Sequence, residues 1–338
     1  MRRLLALTLA VLIPLSTPAL ALCTGDSAFD RLPATDQIRL QEKAAQVPYH
    51  QGLLWQASKG ARQITVMGTM HLYDPRLQGI MDQLEPMIAG ADRLFLEMTA
   101  EDEAAFQVKM LADPALFVIA QGPGLDELLS PESWLALTNT LTLMPELGMP
   151  PEIAARMKPW LLGIMLSVPS CVLDSMRAGQ AGLDRMIGAR AQALDLPMIS
   201  LDDGDKMLAL LAGDPLEDQI EDFDLAMRML DHDPAQMVAT IEHYFDQSFR
   251  LNWEYSLDHA RARTTDPDQR AWLDSLLVEM EDELLTQRNA DWMQVLLTDD
   301  SQRAFVAVGA AHLAGFGGVL DLLEQDGWTL SRLPLQVE

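Results

Sequence analysis

Ile64-Thr65-Val66-Met67-Gly68-Thr69-Met70-His71 near the start of the chain and Ala304-Phe305-Val306-Ala307-Val308-Gly309-Ala310-Ala311-His312 near its end share one frame. In each, an apolar run closes on a glycine, and a histidine follows three residues later. Runs that are apolar or β-branched on every position read as strands covered on both faces. Each histidine is followed by a turn and a helical pattern, Pro75 to Ala89 and Gly318 to Gln325, and then by another strand-like run, Arg93 to Met98 and Trp328 to Leu333. Both ends are therefore βαβ-like units. In an open, mostly parallel sheet the groups beyond the carboxyl ends of the strands line the binding crevice, so both histidines are expected at one edge. The run Leu94-Phe95-Leu96-Glu97 sends a carboxylate to that edge too, and an acid closing an apolar strand is costly to bury without a partner.

Outward from these units, Asp30 to Val47 reads as a helix with Thr35 or Asp36 as its cap. Gly52 to Ser58 and Arg62 to Met67 flank Lys59-Gly60-Ala61 as a β-hairpin, which makes a mixed sheet the expectation. From Ala100 to about Ala290 helical periods dominate, broken at Pro114, Gly122-Pro123-Gly124, Pro131, Pro215 and Pro234 among others. One strand candidate, Pro197 to Leu201, interrupts them after a helix over Leu183 to Leu194. The expected fold class is α/β: a central mixed β-sheet with two βαβ-like Gly-x-x-His units and a large helical middle region. Residues 22–338 are read as a single domain with a helical insertion over about 100–290. The Met- and Leu-rich stretches Met157 to Leu166 and Met207 to Leu230 are read as core, because helical spacing alone produces such stripes.

The first 21 residues read as a secretory signal peptide: Arg2-Arg3, an apolar stretch Leu4 to Leu15 too short to span a membrane comfortably, and Ala19-Leu20-Ala21 as a small-x-small cleavage site. They hold two arginines and no acid, so their removal takes the formal charge from −26 to −28. That charge argues against nucleic acid or anionic lipid as a partner. The expected location is periplasmic or secreted, with no stable membrane insertion after cleavage. Cys23 and Cys171, the two cysteines of the chain, are expected to bridge in an oxidising compartment, with two free thiols as the alternative. Hydrophobic residues make up 49% of the chain, enough for a substantial core and against disorder.

Two neutral imidazoles and a carboxylate form a set that divalent metals of the Zn, Mn or Co class accept, with positions left for water and substrate. Such an ion activates water and polarises a carbonyl near neutral pH. His71 and His312 are the expected metal ligands, and Glu97 is a third ligand or the general base. The glycine before each histidine lets the chain turn sharply or approach a ligand closely. His50, His232, His243 and His259 lack the strand-end frame and are read as structural or exposed. A His-Glu-x-x-His helix and a Gly-x-Ser-x-Gly elbow are both absent from the sequence.

The chain resembles the TraB/GumN family, whose relatives include the Tiki-type membrane metalloproteases. The resemblance is carried by Gly68-Thr69-Met70-His71-Leu72, Phe95-Leu96-Glu97, Lys158-Pro159-Trp160, Gly182-Leu183-Asp184, Arg288-Asn289 with Trp292, and Val308-Gly309-Ala310-Ala311-His312-Leu313. It implies a central sheet with a helical middle, an active centre built from the two Gly-x-x-His histidines and the strand-end glutamate, and a metal-dependent peptidase activity. Arg288 joins Glu97 as a catalytic candidate through this resemblance, since a guanidinium can hold a carboxylate or a developing oxyanion in two-point geometry. Trp292 is read as packing and Asp184 as a helix cap, while Tyr73 and Asp74 are placed to orient His71 or to donate a proton. The leading expectation is an exported metallohydrolase acting on peptide or protein. The alternatives are a metal-independent His/Glu hydrolase of the erythromycin-esterase-like type and a noncatalytic haem- or metal-binding protein.

Overall fold

The computed structural model of the protein describes residues 23–168, 170–230 and 233–337. The expected leader and His232 lie outside the described residues.

Six strands form one sheet: β1 (Leu54–Lys59), β2 (Arg62–Thr69), β3 (Arg93–Leu96), β4 (Met198–Ser200), β5 (Arg303–Gly309) and β6 (Thr329–Arg332). Their order is β4-β3-β5-β2-β1-β6. The hairpin β1–β2 is antiparallel, as is the pair β1–β6, while β2, β5, β3 and β4 are successive parallel neighbours. Thus β1 alone runs against the rest, and the sheet is mixed. Both βαβ units are present, but neither joins neighbouring strands. The connection from β2 through the helix Leu77–Ala89 to β3 passes over β5, and that from β5 through the helix Val319–Gln325 to β6 passes over β2 and β1. The gap left by the first unit is filled from the far end of the chain. β2 and β5 consequently lie side by side, with Gly68 opposite Val308 and Thr69 opposite Gly309.

Period-two alternation along the strands sorts the sheet into two buried faces. Met67, Leu94, Leu96, Phe305 and Ala307 pack on one face, under Leu77, Ile80 and Leu84 of the first crossover helix, Leu183 and Ile187 of the helix Leu183–Ala193, and Ile241 and Tyr244 of the helix Pro234–Phe245. Ile64, Val66, Phe95, Val306 and Val308 pack on the other, against Trp292 and Leu296 of the helix Arg288–Thr298 and Val319, Leu320 and Leu323 of the second crossover helix. Helices cover the sheet above and below. The continuous apolar runs of the sequence are those of strands with no solvated side.

Between Ala100 and Thr298 β4 is the one strand among the described residues. Several prolines expected as breaks are helix starts. Pro131 and Pro234 each occupy a first-turn position behind a Ser or Asp whose side chain accepts a backbone N–H of that turn, and Pro267, not among the expected breaks, does the same behind Asp266. Much of this region has a core of its own, with Leu125, Leu137, Leu162, Phe223 and Met227 packed together away from the sheet. Toward the amino terminus the helix is Ala34–Ala44, shorter than expected. Pro33, not Thr35 or Asp36, sits at its cap. No single helix among the described residues is long and apolar enough to cross a membrane, although Pro159–Ser167 and Cys171–Arg177, bent by 86°, pass that test as a pair.

Cys23 and Cys171 form a disulfide, Cα to Cα 5.3 Å, across 148 residues of sequence. It fastens the first described residue to the helical region. Ala28 N–H then donates to the Ala235 carbonyl, and Phe29 meets the His243 ring edge-on at 4.7 Å. His243 is thereby a buried packing residue. Closing so long a loop removes unfolded-state entropy, so Cys171→Ser should cost about 2 to 5 kcal/mol of stability, read as a lowered urea midpoint under oxidising conditions. An unchanged midpoint would show that the amino-terminal segment is held without it.

Candidate active site

Each of the four parallel strands delivers one polar residue just past its carboxyl end: His71 after β2, Glu97 after β3, Asp202 after β4 and His312 after β5. Two further elements reach the same edge. The helix Leu183–Ala193 brings Asp184, and the helix Arg288–Thr298 brings Arg288, Asn289 and Trp292.

His71 is held from the insertion side. Its Nδ1 lies 3.3 Å from Asp184 Oδ2, and its ring is largely open on the remaining flank, with 62% of the side chain exposed. Leu183 N–H donates to the Met70 carbonyl, which docks the start of that helix against the Met70-His71 peptide. Gly182 makes the approach possible, since a Cβ there would stand 2.3 Å from the His71 carbonyl oxygen. The Asp184 carboxylate, hydrogen-bonded to the ring and reinforced by Glu97, raises the His71 pKa to about 9 against the opposing effects of burial and Arg288. Asp184 is thus the partner of His71. Gly182 holds the helix-cap position.

His312 sits in the opposite environment. It is buried, its ring 4.3 Å from that of Trp292. Asn289 Nδ2 donates to the Gly317 carbonyl, which orients the amide so that Oδ1 accepts from His312 Nδ1–H at 2.7 Å. Arg288 Nη1, a donor only, meets Nε2 at 3.3 Å, so Nε2 carries the lone pair. Burial, helped by the charges of Arg288 and His71 and opposed by Glu97, pushes the His312 pKa down to about 4. At neutral pH this imidazole is uncharged, with one fixed tautomer.

Glu97 lies between the two rings. Oε1 accepts from Gly309 N–H at 2.7 Å and is 3.9 Å from His312 Nε2, while Oε2 accepts from Arg288 Nη2 at 2.8 Å. Burial alone would raise its pKa; His312, His71, Arg288 and the Gly309 N–H together bring it to about 2. Gly309 has an ordinary φ of −52°, so its value is not a sharp turn. A Cβ there would be 3.1 Å from Glu97 Oε1, 3.6 Å from His312 Cδ2 and 3.7 Å from His71 Nε2. The three expected site residues therefore converge on one point beside Gly309. Arg288 is itself anchored, with Nε 3.2 Å and Nη2 2.6 Å from the two oxygens of Asp202, whose Oδ1 also accepts from Trp292 Nε1 at 2.7 Å.

Two imidazoles and a carboxylate are donor types that divalent metals accept. Both rings have an oxygen acceptor at Nδ1, as outer partners provide for metal-binding histidines; His312 Nε2 stands 3.9 Å from Glu97 Oε1, and His71 Nε2 faces the same space beside Gly309. Asp184 Oδ1 is also buried with no hydrogen-bond partner. The spacing is looser than a closed site. Among the described residues no three His, Cys, Asp or Glu side chains stand together closely enough to hold one ion. A cleft of about 460 Å³ opens beside His71 and Glu97, walled by Leu96, Met98, Ala189 and Met198.

Asp202 and the tautomer-fixing role of Asn289 were not foreseen. Asp202 was findable, because it follows the Pro197 to Leu201 strand candidate in the same strand-end frame as Glu97. Asp74, expected to orient His71, is buried against the Arg76 guanidinium at 2.9 Å, and Arg76 lies over the Phe245 ring. Trp160 donates to the Leu116 carbonyl, and Lys158 N–H to that of Phe117, which makes the Lys158-Pro159-Trp160 motif a brace within the helical region. His50, in the segment before β1, and His259, on the helix Phe249–Arg263, are partly buried and take no place in the group around Glu97.

A family model described as the TraB/PrgY/gumN family matches residues 53–332, a span that contains all six strands and every residue of the site. No curated protein matches the chain.

Because the His71 pKa is raised in the folded protein, its pairing with Asp184 stabilises fully below its unfolded value, about 6.5, and that contribution fades as pH rises through about 9. Asp184→Asn should bring the His71 titration down toward the ordinary value in a histidine NMR experiment on the metal-free protein. Its destabilisation should be larger near pH 6 than near pH 10. Equal losses at the two pH values would contradict the assigned pair.

Proposed function

From the premise that the chain belongs to the TraB/PrgY/gumN family, we propose that it is an exported, metal-dependent hydrolase of peptide bonds, with His71, His312 and Glu97 as ligands of a divalent ion. The observation that carries this reading is the paired arrangement of the imidazoles, one held by Asp184 and one by Asn289, with both rings meeting Glu97 in the space beside Gly309. Export to a periplasmic or extracellular space is supported by the Cys23–Cys171 bridge, which needs an oxidising compartment.

When bound, the ion supplies a Lewis acid that polarises the scissile carbonyl and activates water. Glu97 serves as a ligand more readily than as a base. Its carboxyl is held near pKa 2, Oε2 is committed to Arg288, and a general base works best with a pKa near the operating pH. Arg288, fixed by Asp202, contributes a permanent positive charge beside the point on which the three donors converge, where a developing oxyanion would gain from it. His312 keeps its lone pair because burial excludes the proton. The cleft beside His71 is the entrance for a peptide or protein segment, its walls mixing the apolar Leu96, Met98 and Met198 with Glu101, Glu103 and Arg185.

One observation favours a second reading. Arg288 already contacts both Glu97 and His312, and His71 is protonated at neutral pH, so the group could act as a metal-free acid–base centre with His71 as the proton donor. Elemental analysis separates the two. Wild-type protein should carry close to one equivalent of Zn, Mn or Co, and His71→Ala, His312→Ala and Glu97→Gln should lose it with circular dichroism unchanged and hydrolysis reduced about a hundredfold or more. Full activity after exhaustive chelation would reject the metal reading in favour of the second.

A further inference from the structure

Arg288 is the most heavily committed side chain of the site. Nε and Nη2 bind the two oxygens of Asp202, Nη2 also binds Glu97 Oε2, and Nη1 donates to the Leu284 carbonyl at 3.0 Å and to His312 Nε2 at 3.3 Å. The Leu284 carbonyl belongs to a π-helical turn, Asp282–Gln287, directly before Arg288. Such turns interrupt the regular ladder and are frequent at functional sites. Only 16% of the arginine side chain is exposed, and its group cannot lose its proton. Asp202 cannot follow the arginine if it moves. Its carboxylate is tied to Trp292 and its backbone N–H to the Glu97 carbonyl at 2.9 Å.

Given the metal-dependent reading above, on which this step rests, we infer that Arg288 is the resident counter-cation of the metal-free site and competes with the metal for His312 and Glu97. The imidazole nitrogen has one lone pair. It serves the guanidinium or an ion, never both, so loading must break the Nη1–Nε2 contact. Electrostatics sets the same opposition. The guanidinium offsets one of the two buried carboxylate charges of Glu97 and Asp202, and a divalent ion entering beside it meets a fixed like charge at low dielectric. The bidentate hold of Asp202 keeps the arginine at the site's rim once His312 is released, so its charge is displaced from the donor but not withdrawn.

The test is a metal-binding titration of the full chain, stripped of metal, with Mn²⁺ and Zn²⁺ against a competing chromophoric chelator. Arg288→Gln should bind at least about tenfold more tightly than wild type, the scale on which partners around metal ligands act. Its metal-free Tm should fall and should recover on addition of the ion. Because Arg288→Gln leaves two buried carboxylates without their cation, Arg288→Gln with Asp202→Asn is measured beside it, and tighter binding is expected there too. A folded variant that binds no more tightly than wild type overturns the inference. If wild type binds an ion and loses it in His71→Ala and His312→Ala, that result defeats the competition alone; if neither wild type nor any variant binds, the metal reading falls with it.

Discussion

The parallel pairing of β2 with β5 is the constraint from which the rest of the site follows. These strands lie more than 200 residues apart in sequence yet are adjacent, with Thr69 against Gly309. The register puts both histidine turns at one end of the sheet, and β3 on the other side of β5 brings Glu97 into the space between them. Neither crossover could achieve this alone. Each passes over the strands that the opposite end of the chain supplies, so the amino- and carboxyl-terminal segments must both be in place before the edge exists. Such long-range pairing is slow to form, because loop closure precedes the contacts that reward it.

One local sequence pattern has been given two electrostatic surroundings. His71 stands on a flank with Asp184 beside it and titrates high; His312 is sealed beneath Trp292 with an amide as its partner and titrates low. A carboxylate favours the charged ring, whereas burial against a neutral partner favours the uncharged one. Glu97 keeps its charge between them because a backbone N–H and a guanidinium each bind one of its oxygens. The division of labour between equivalent frames is thus set by what packs against them. The frames themselves carry no trace of it.

The sheet and the principal residues were legible because strand ends announce themselves: apolar runs closing on Gly-x-x-His or on Glu97 need no knowledge of contacts. Asp202 follows the Pro197 to Leu201 run in the same frame, although a strand of three residues announces itself more weakly. Partners supplied by helices were not legible in the same way. Asp184 looks like an ordinary first-turn acid until the Gly182 approach sets it against His71, and Asn289 shows its role only once Gly317 fixes its amide. The π-helical turn before Arg288 has no recognisable sequence signature either. Arg288 itself was reached through family resemblance. On composition alone it reads as a surface residue of a helix.

The helical region leaves the sheet immediately after Glu97 and returns at Gly182-Leu183-Asp184, where the chain grips His71. The chain re-enters the same lobe after Asp202, where Phe223 and Met227 join its core, so three of its junctions with the sheet lie at the strand-end edge while the bulk of the lobe packs on itself. Such an arrangement separates the packing of the lobe from the placement of the strand-end residues. A substitution within the lobe's own core can alter its packing without touching His71, Glu97, Asp202 or His312 at the strand ends.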